Sequence, residues 1–78
     1  MEGKAADIDN DNNPQGPTNA EIFNYILEYL EFDQLIWEYG TVENPAWVHV
    51  SYNHGKNRRQ VLRCSLVDGK RCYYPYVA

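Results

Sequence analysis

Seventy-eight residues allow one domain, and a chain of this length buries only about 60% of the surface that its unfolded form exposes. Seven Tyr, two Trp and two Phe within an apolar fraction of 44% argue for a packed chain and against disorder. The formal charge of -4 excludes an overall electrostatic footprint for nucleic acid, although the basic residues crowd into the stretch from Lys56 onward while the acids lie mostly before it.

The first residues, MEGKAADID, alternate small and polar with period two, so they read as a short strand with Ala5, Asp7 and Asp9 on one side and Ala6 and Ile8 on the other. DNDNNPQGP follows, dense in turn formers, and makes residues 10–17 a surface loop. Thr18 and Glu21 form a T-x-x-E capping box, and Ile22, Phe23, Ile26, Leu27 and Leu30 then recur at helical spacing. A helix over about 19–31, within a segment 18–31, is expected.

FDQLIWEYG alternates Leu35, Trp37 and Tyr39 against Gln34, Ile36 and Glu38, which suits a strand in a sheet covered on one face. AWVHVSY is the next strand, with Trp47, His49 and Ser51 on one face and Val48, Val50 and Tyr52 on the other. NHGKN reads as a hairpin loop, RQVLRCSLV as an alternating strand, and DGK as a tight Asp-Gly turn into RCYYPY, which Pro75 confines to an edge. The expected fold is α+β: an antiparallel meander of about four to five strands over 33–78 with one helix laid across it. Cys64 and Cys72 read as two ordinary strand cysteines, with pairing across a hairpin as the alternative. There is neither a membrane-length apolar run nor a basic-then-apolar leader at the start, so the compartment stays open.

Two side chains stand out chemically. His49 sits on a strand of Trp and Val, where a histidine is most often half-buried and hydrogen-bonded; Asp7 is flanked by alanines that let another group approach. A carboxylate and an imidazole from separate strands are also ligand types for a catalytic zinc.

GKAADID resembles the end of the H-x-x-G-x-A-x-D motif, and ENPAWVHVSY resembles the second metal motif, of the zinc D-alanyl-D-alanine carboxypeptidases. That superfamily includes D-alanyl-D-alanine dipeptidases, phage L-alanyl-D-glutamate endolysins and the hedgehog signalling domain. The helix, FDQLIWEYG, WVHVSY and NRRQVLR extend the likeness to phage-type and Bacteroides-type members, and so over most of the chain. The resemblance implies a hedgehog-like, D-Ala-D-Ala peptidase-like fold, incomplete here, and a bacterial or phage source. It implies zinc held by Asp7 and His49 together with a first histidine, and a peptidoglycan stem peptide ending in D-alanine as partner. Counted back from Gly3, that first histidine falls immediately before Met1; relatives read Ser-Gln-His-Met-x-Gly there. Zinc binding and hydrolysis by the chain as given are therefore expected to be weak or absent. The Met1 α-amino group and His54 are further donors, His54 reading first as a turn residue.

A zinc peptidase also needs a base. Dipeptidase-like members carry a glutamate three residues before the second histidine, where this chain has Ala46; hedgehog-like members carry it six before, which is Glu43. Glu43 is thus the expected base, with Glu38 as runner-up. Trp47 is expected to wall the cleft, and Arg59, with Arg58 and Arg63 as neighbours, to receive a substrate carboxylate. The competing expectations are a binding remnant that keeps the peptide cleft without turnover, and a purely structural fragment. An open edge at the first strand would favour self-association.

Overall fold

The computed structural model of the protein describes residues 3–77. The Met1 α-amino group, expected above as a further donor, lies outside the described residues. Six elements follow in chain order: β1 (Gly3–Ile8), α1 (Asn19–Tyr29), β2 (Gln34–Glu38), β3 (Trp47–Asn53), β4 (Gln60–Val67) and β5 (Lys70–Pro75). One sheet holds all five strands in the order β1-β3-β2-β4-β5. The α+β class is as expected, but the sheet is mixed, because β2 and β4 run parallel while the other neighbouring pairs are antiparallel.

That difference corrects the meander. NHGKN does not make a hairpin: β3 and β4 are not neighbours, and β2 lies between them. The segment after β3 passes around the start of β2 and is fastened there. Arg59 N–H donates to the Phe32 carbonyl at 3.2 Å and Gln60 N–H to the Asp33 carbonyl at 2.9 Å. Asp33 adds a fork: its Oδ1 accepts from the Arg58 backbone N–H at 3.0 Å and from Nε at 2.8 Å, and its Oδ2 from the other arm of the guanidinium at 2.9 Å. These bonds replace the pairing that a hairpin would supply.

The Arg58 hydrogen bonds hold the Asp33 carboxyl at about 2, below its ordinary 3.8. A carboxyl whose pKa is depressed by folding contributes stability above its unfolded pKa, and that contribution is lost as pH falls toward the folded value. Urea midpoints are therefore expected to drop between about pH 4 and pH 2 in the parent. Asp33→Asn should be less stable at neutral pH and should show a flatter curve in that window; an unchanged acid limb in the variant would refute the assignment.

The strand expected to be covered on one face is in fact buried on both. Leu35, Ile36, Trp37 and Glu38 are all buried, the pattern of a central strand with neighbours on either side. On one face α1 packs through Phe23 and Ile26 against Phe32, Leu35, Trp37 and Val48. Phe23 meets Trp37 edge-on at 5.1 Å and Tyr76 at 4.9 Å. The helix ends at Tyr29, before the expected boundary. Leu30 leaves helical geometry, and the Arg59 guanidinium donates to the Leu27 and Leu30 carbonyls that the helix end leaves open.

The capping box forms as read: Thr18 Oγ1 accepts from Glu21 N–H, and Glu21 returns a carboxylate oxygen to Thr18 N–H. The Asp68-Gly69 turn also forms, with both residues at positive φ (53° and 77°), the requirement of a two-residue hairpin turn of this hand. Cys64 and Ser65 are successive on β4, and Ser65 stands opposite Cys72, so the two thiols lie on opposite faces; both are free. β5 is an edge strand and Pro75 closes it. No helix among the described residues is long and apolar enough to cross a membrane.

Candidate metal centre

The sheet face away from α1 carries the chemistry. In β1–β3 pairing, Asp7 stands directly opposite His49; in β2–β3 pairing, His49 stands opposite Ile36 and Trp47 opposite Glu38. Asp7, Glu38 and His49 therefore come from three adjacent strands onto one face. Each offers a donor atom, and these atoms lie within 4.8 Å of one another. His49 Nδ1 is 2.9 Å from Asp7 Oδ1 and 4.0 Å from Glu38 Oε2. A carboxylate only accepts, so in this contact His49 Nδ1 is the donor and Asp7 Oδ1 the acceptor.

Burial grades across the three. The side chain of Asp7 is 65% exposed, that of His49 25% and that of Glu38 only 8%. They line an open groove of about 530 Å³ whose walls include Trp47, Leu62, Arg71 and Tyr73.

Two loops hold the ends of the strands that bear Asp7 and His49. The buried Asn19 side-chain amide donates to Asp9 Oδ1 at 3.0 Å and to the carbonyls of Pro45 and Ala46 at 3.1 and 2.9 Å. Its oxygen accepts from Asn10 N–H at 2.7 Å. Asn44 reaches the other way, donating to Asp11 and accepting from Ala20 N–H. The two asparagines thus clamp the segments just after Asp7 and just before His49 onto the start of α1. The Asn19 bond, followed by the Asp11 backbone N–H, lowers the pKa of Asp9. Neither asparagine stood out in the sequence, where Asn19 reads as the first residue of the helix and Asn44 as one more loop polar residue.

The chain leaves β2 through Tyr39 and Gly40, both in the left-handed region at φ 59° and 75°. Gly40 is obligatory, because a Cβ there would lie 2.3 Å from the Asn44 carbonyl oxygen. A bulky residue seldom adopts Tyr39's conformation. It turns the ring against Trp47, with centroids 5.2 Å apart, and beneath Arg71, whose guanidinium carbon lies 5.9 Å from the ring. Burial, followed by the Cys64 thiol, raises the pKa of the Tyr39 hydroxyl.

Comparison with protein-family models, with curated proteins and with solved structures finds no match.

The geometry is therefore the ground on which the site residues stand. Asp7 and His49 are together, and Trp47 lines the groove beside them. Glu43 is not with them: it is exposed in the loop before β3, its N–H bonded to Thr41 Oγ1 at 3.2 Å, and it does not line the groove. Glu38, the runner-up, does line it. Arg59 is bonded to the carbonyls at the end of α1 and stacks over Phe32 at 4.6 Å. Arg58 is committed to Asp33, and Arg63 lies over Trp37 at 4.7 Å on the helix-covered face. His54 borders a separate groove beside Lys56 and Arg58. The cation that does line the groove of Asp7, Glu38 and His49 is Arg71.

One imidazole and two carboxylates are a donor set that suits zinc and other borderline divalent ions. Two donors about 2.0–2.2 Å from one tetrahedral ion stand roughly 3.3–3.5 Å apart, and the 2.9 and 4.0 Å spacings here bracket that value.

Proposed function

We propose that this chain carries the Asp7–His49 half of a zinc peptidase centre, with Glu38 as its base, acting on peptidoglycan peptides that end in D-alanine. The observation that supports it is the convergence of Asp7, Glu38 and His49 from three adjacent strands onto one open groove. The resemblance of GKAADID and WVHVSY to the two metal motifs of the D-alanyl-D-alanine carboxypeptidases supplies the reaction class.

Bound zinc would acidify a water and polarise the scissile carbonyl. The chain's own residues do the rest. Asp7 and His49 would hold the ion through oxygen and nitrogen from facing positions on paired strands. Glu38, recessed beside them at the end of β2, takes the proton from the attacking water and returns it to the leaving amine. Trp47, held by Tyr39, walls the groove and limits water entry from that side.

With Glu38 acting as base and not as ligand, Asp7 and His49 remain, two ligands hold zinc poorly, and the resemblance asks for a further histidine three residues before Gly3. A zinc titration by calorimetry is expected to show weak binding by the chain as given. The same chain extended by Ser-Gln-His ahead of Met1 should bind at least about a hundredfold more tightly, since even outer partners of a metal ligand are worth about 10–100-fold. It should also release D-alanine from an N-acylated D-alanyl-D-alanine peptide. An extension that adds no affinity, or an added affinity that survives His49→Ala, would defeat the proposal. The reading of a binding remnant without turnover would gain if the extended chain bound zinc and peptide but released no product.

A further inference from the structure

We propose that Asn19 is a positioning residue for Asp7 and His49: its buried carboxamide is an inserted rung that fixes where β1 leaves the sheet and β3 enters it. The consequence for metal binding rests on the reading of that pair as ligands.

The β1–β3 register runs through Asp7 opposite His49 and ends, among the described residues, at Ile8 opposite Val48. Continued by two steps, it would set Asn10 opposite Ala46. There the Asn19 side chain stands between the two backbones: its Oδ1 accepts from Asn10 N–H at 2.7 Å, and its Nδ2 donates to the Ala46 carbonyl at 2.9 Å. A carboxamide joins an acceptor and a donor in one planar group, as a peptide bond does. Asn19 thus prolongs the ladder with a side chain where the main chains have parted. Nδ2 also reaches Asp9 Oδ1 at 3.0 Å and the Pro45 carbonyl at 3.1 Å, so each strand end is held at two points.

The rung matters because little else fixes that end of β1. Gly3 to Asp7 are exposed on an edge strand, and of β1 only Ile8 packs against the core. Asn19 itself has no exposed surface, so water cannot replace a partner that it loses. It is also the first residue of α1, a turn before Phe23 enters the core. The seat of the helix is thereby passed to the two strand ends, and through them to the carboxylate and imidazole that meet at 2.9 Å.

The first readout needs no metal. Long-range proton–nitrogen spectra of the chain show which ring nitrogen of neutral His49 bears the proton, and the parent is expected to hold it on Nδ1, the atom that donates to Asp7. Asn19→Asp keeps the size and the acceptor but cannot donate, and it sets a second carboxylate against Asp9 and two carbonyls. The ring should then move toward the Nε2–H form. In the chain extended by Ser-Gln-His, the same variant should bind zinc about 10–100-fold more weakly, the scale for an outer partner of a metal ligand. Asn44→Ala loosens the neighbouring loop without touching the rung, so it should lower the urea midpoint and leave tautomer and zinc affinity as in the parent.

In the parent, scalar couplings across the hydrogen bonds should link the Asn10 amide to Asn19 Cγ, and Asn19 Nδ2 to the Ala46 carbonyl carbon. Their absence would overturn the rung even if Asn19→Asp fails to fold. A parent ring protonated on Nε2, or a folded Asn19→Asp chain with the parent's tautomer, would overturn the positioning role. A tautomer that follows Asn19 in an extended chain that never takes up zinc would keep that role and remove the metal reading. Tight, His49-dependent zinc binding that is indifferent to Asn19→Asp would do the reverse.

Discussion

In the chain extended by Ser-Gln-His, Glu38→Gln is expected to hold zinc within a few-fold of the parent while lowering peptide hydrolysis by about 10²–10⁴-fold, the usual contribution of a positioned base. Gln keeps the shape and a hydrogen-bonding oxygen at the end of β2 but cannot take a proton. Glu38 is recessed, with its side chain 8% exposed, and lies 4.0 Å from His49 Nδ1. Glu43→Gln is expected to change neither quantity, because that side chain is exposed on a loop outside the groove. The pair of variants separates the two glutamates directly. Full hydrolysis by Glu38→Gln, or a collapse caused by Glu43→Gln, would show that the base has been placed on the wrong residue. Loss of zinc in Glu38→Gln would make Glu38 a ligand instead.

The second large effect concerns the layer behind the site. Phe23→Ala is expected to cost about 3–5 kcal/mol, the range for removing a buried aromatic ring. Phe23 has no exposed surface and touches both Trp37 and Tyr76, so its loss opens a void where α1 meets the centre of the sheet. A domain of 78 residues has only about 4–12 kcal/mol in hand. The variant should therefore be substantially unfolded at neutral pH or show a greatly lowered urea midpoint. Val42→Ala, at a residue 75% exposed, should stay within about 0.5 kcal/mol. A change below about 1 kcal/mol for Phe23→Ala would mean that the helix does not hold the sheet in the way described. The groove of Asp7, Glu38 and His49 should suffer with the fold, since β2 carries Trp37 toward the helix and Glu38 toward the groove.

What the local sequence could show was whatever depends on neighbours in the chain. The capping box at Thr18 and Glu21, the period of Phe23 and Ile26, the Asp68-Gly69 turn and the edge position of Pro75 each rest on interactions within a few residues, and each was legible. Alternation in WVHVSY likewise placed His49 and Trp47 on one face. NHGKN reads as a hairpin loop because nothing within it reveals that Asp33, 25 positions before Arg58, captures the crossover. Arg59 reads as a free cation for a similar reason: the carbonyls that occupy it belong to Leu27 and Leu30 at the end of a helix about 30 residues earlier in the chain.

The sequence by itself determined most of the elements and the alternation that sets Trp47 and His49 on one face, and it offered Asp7 and His49 as a candidate pair. Only the tertiary structure decided the order β1-β3-β2-β4-β5. That order sets Glu38 between the strand of His49 and the strands that bring Arg71 and Tyr73, and it leaves Glu43 outside. The physical reason is that periodicity reports which side of a strand a residue occupies, whereas which strands become neighbours is settled by long-range closure. Here that closure is the Asp33–Arg58 fork and the burial of β2 on both faces.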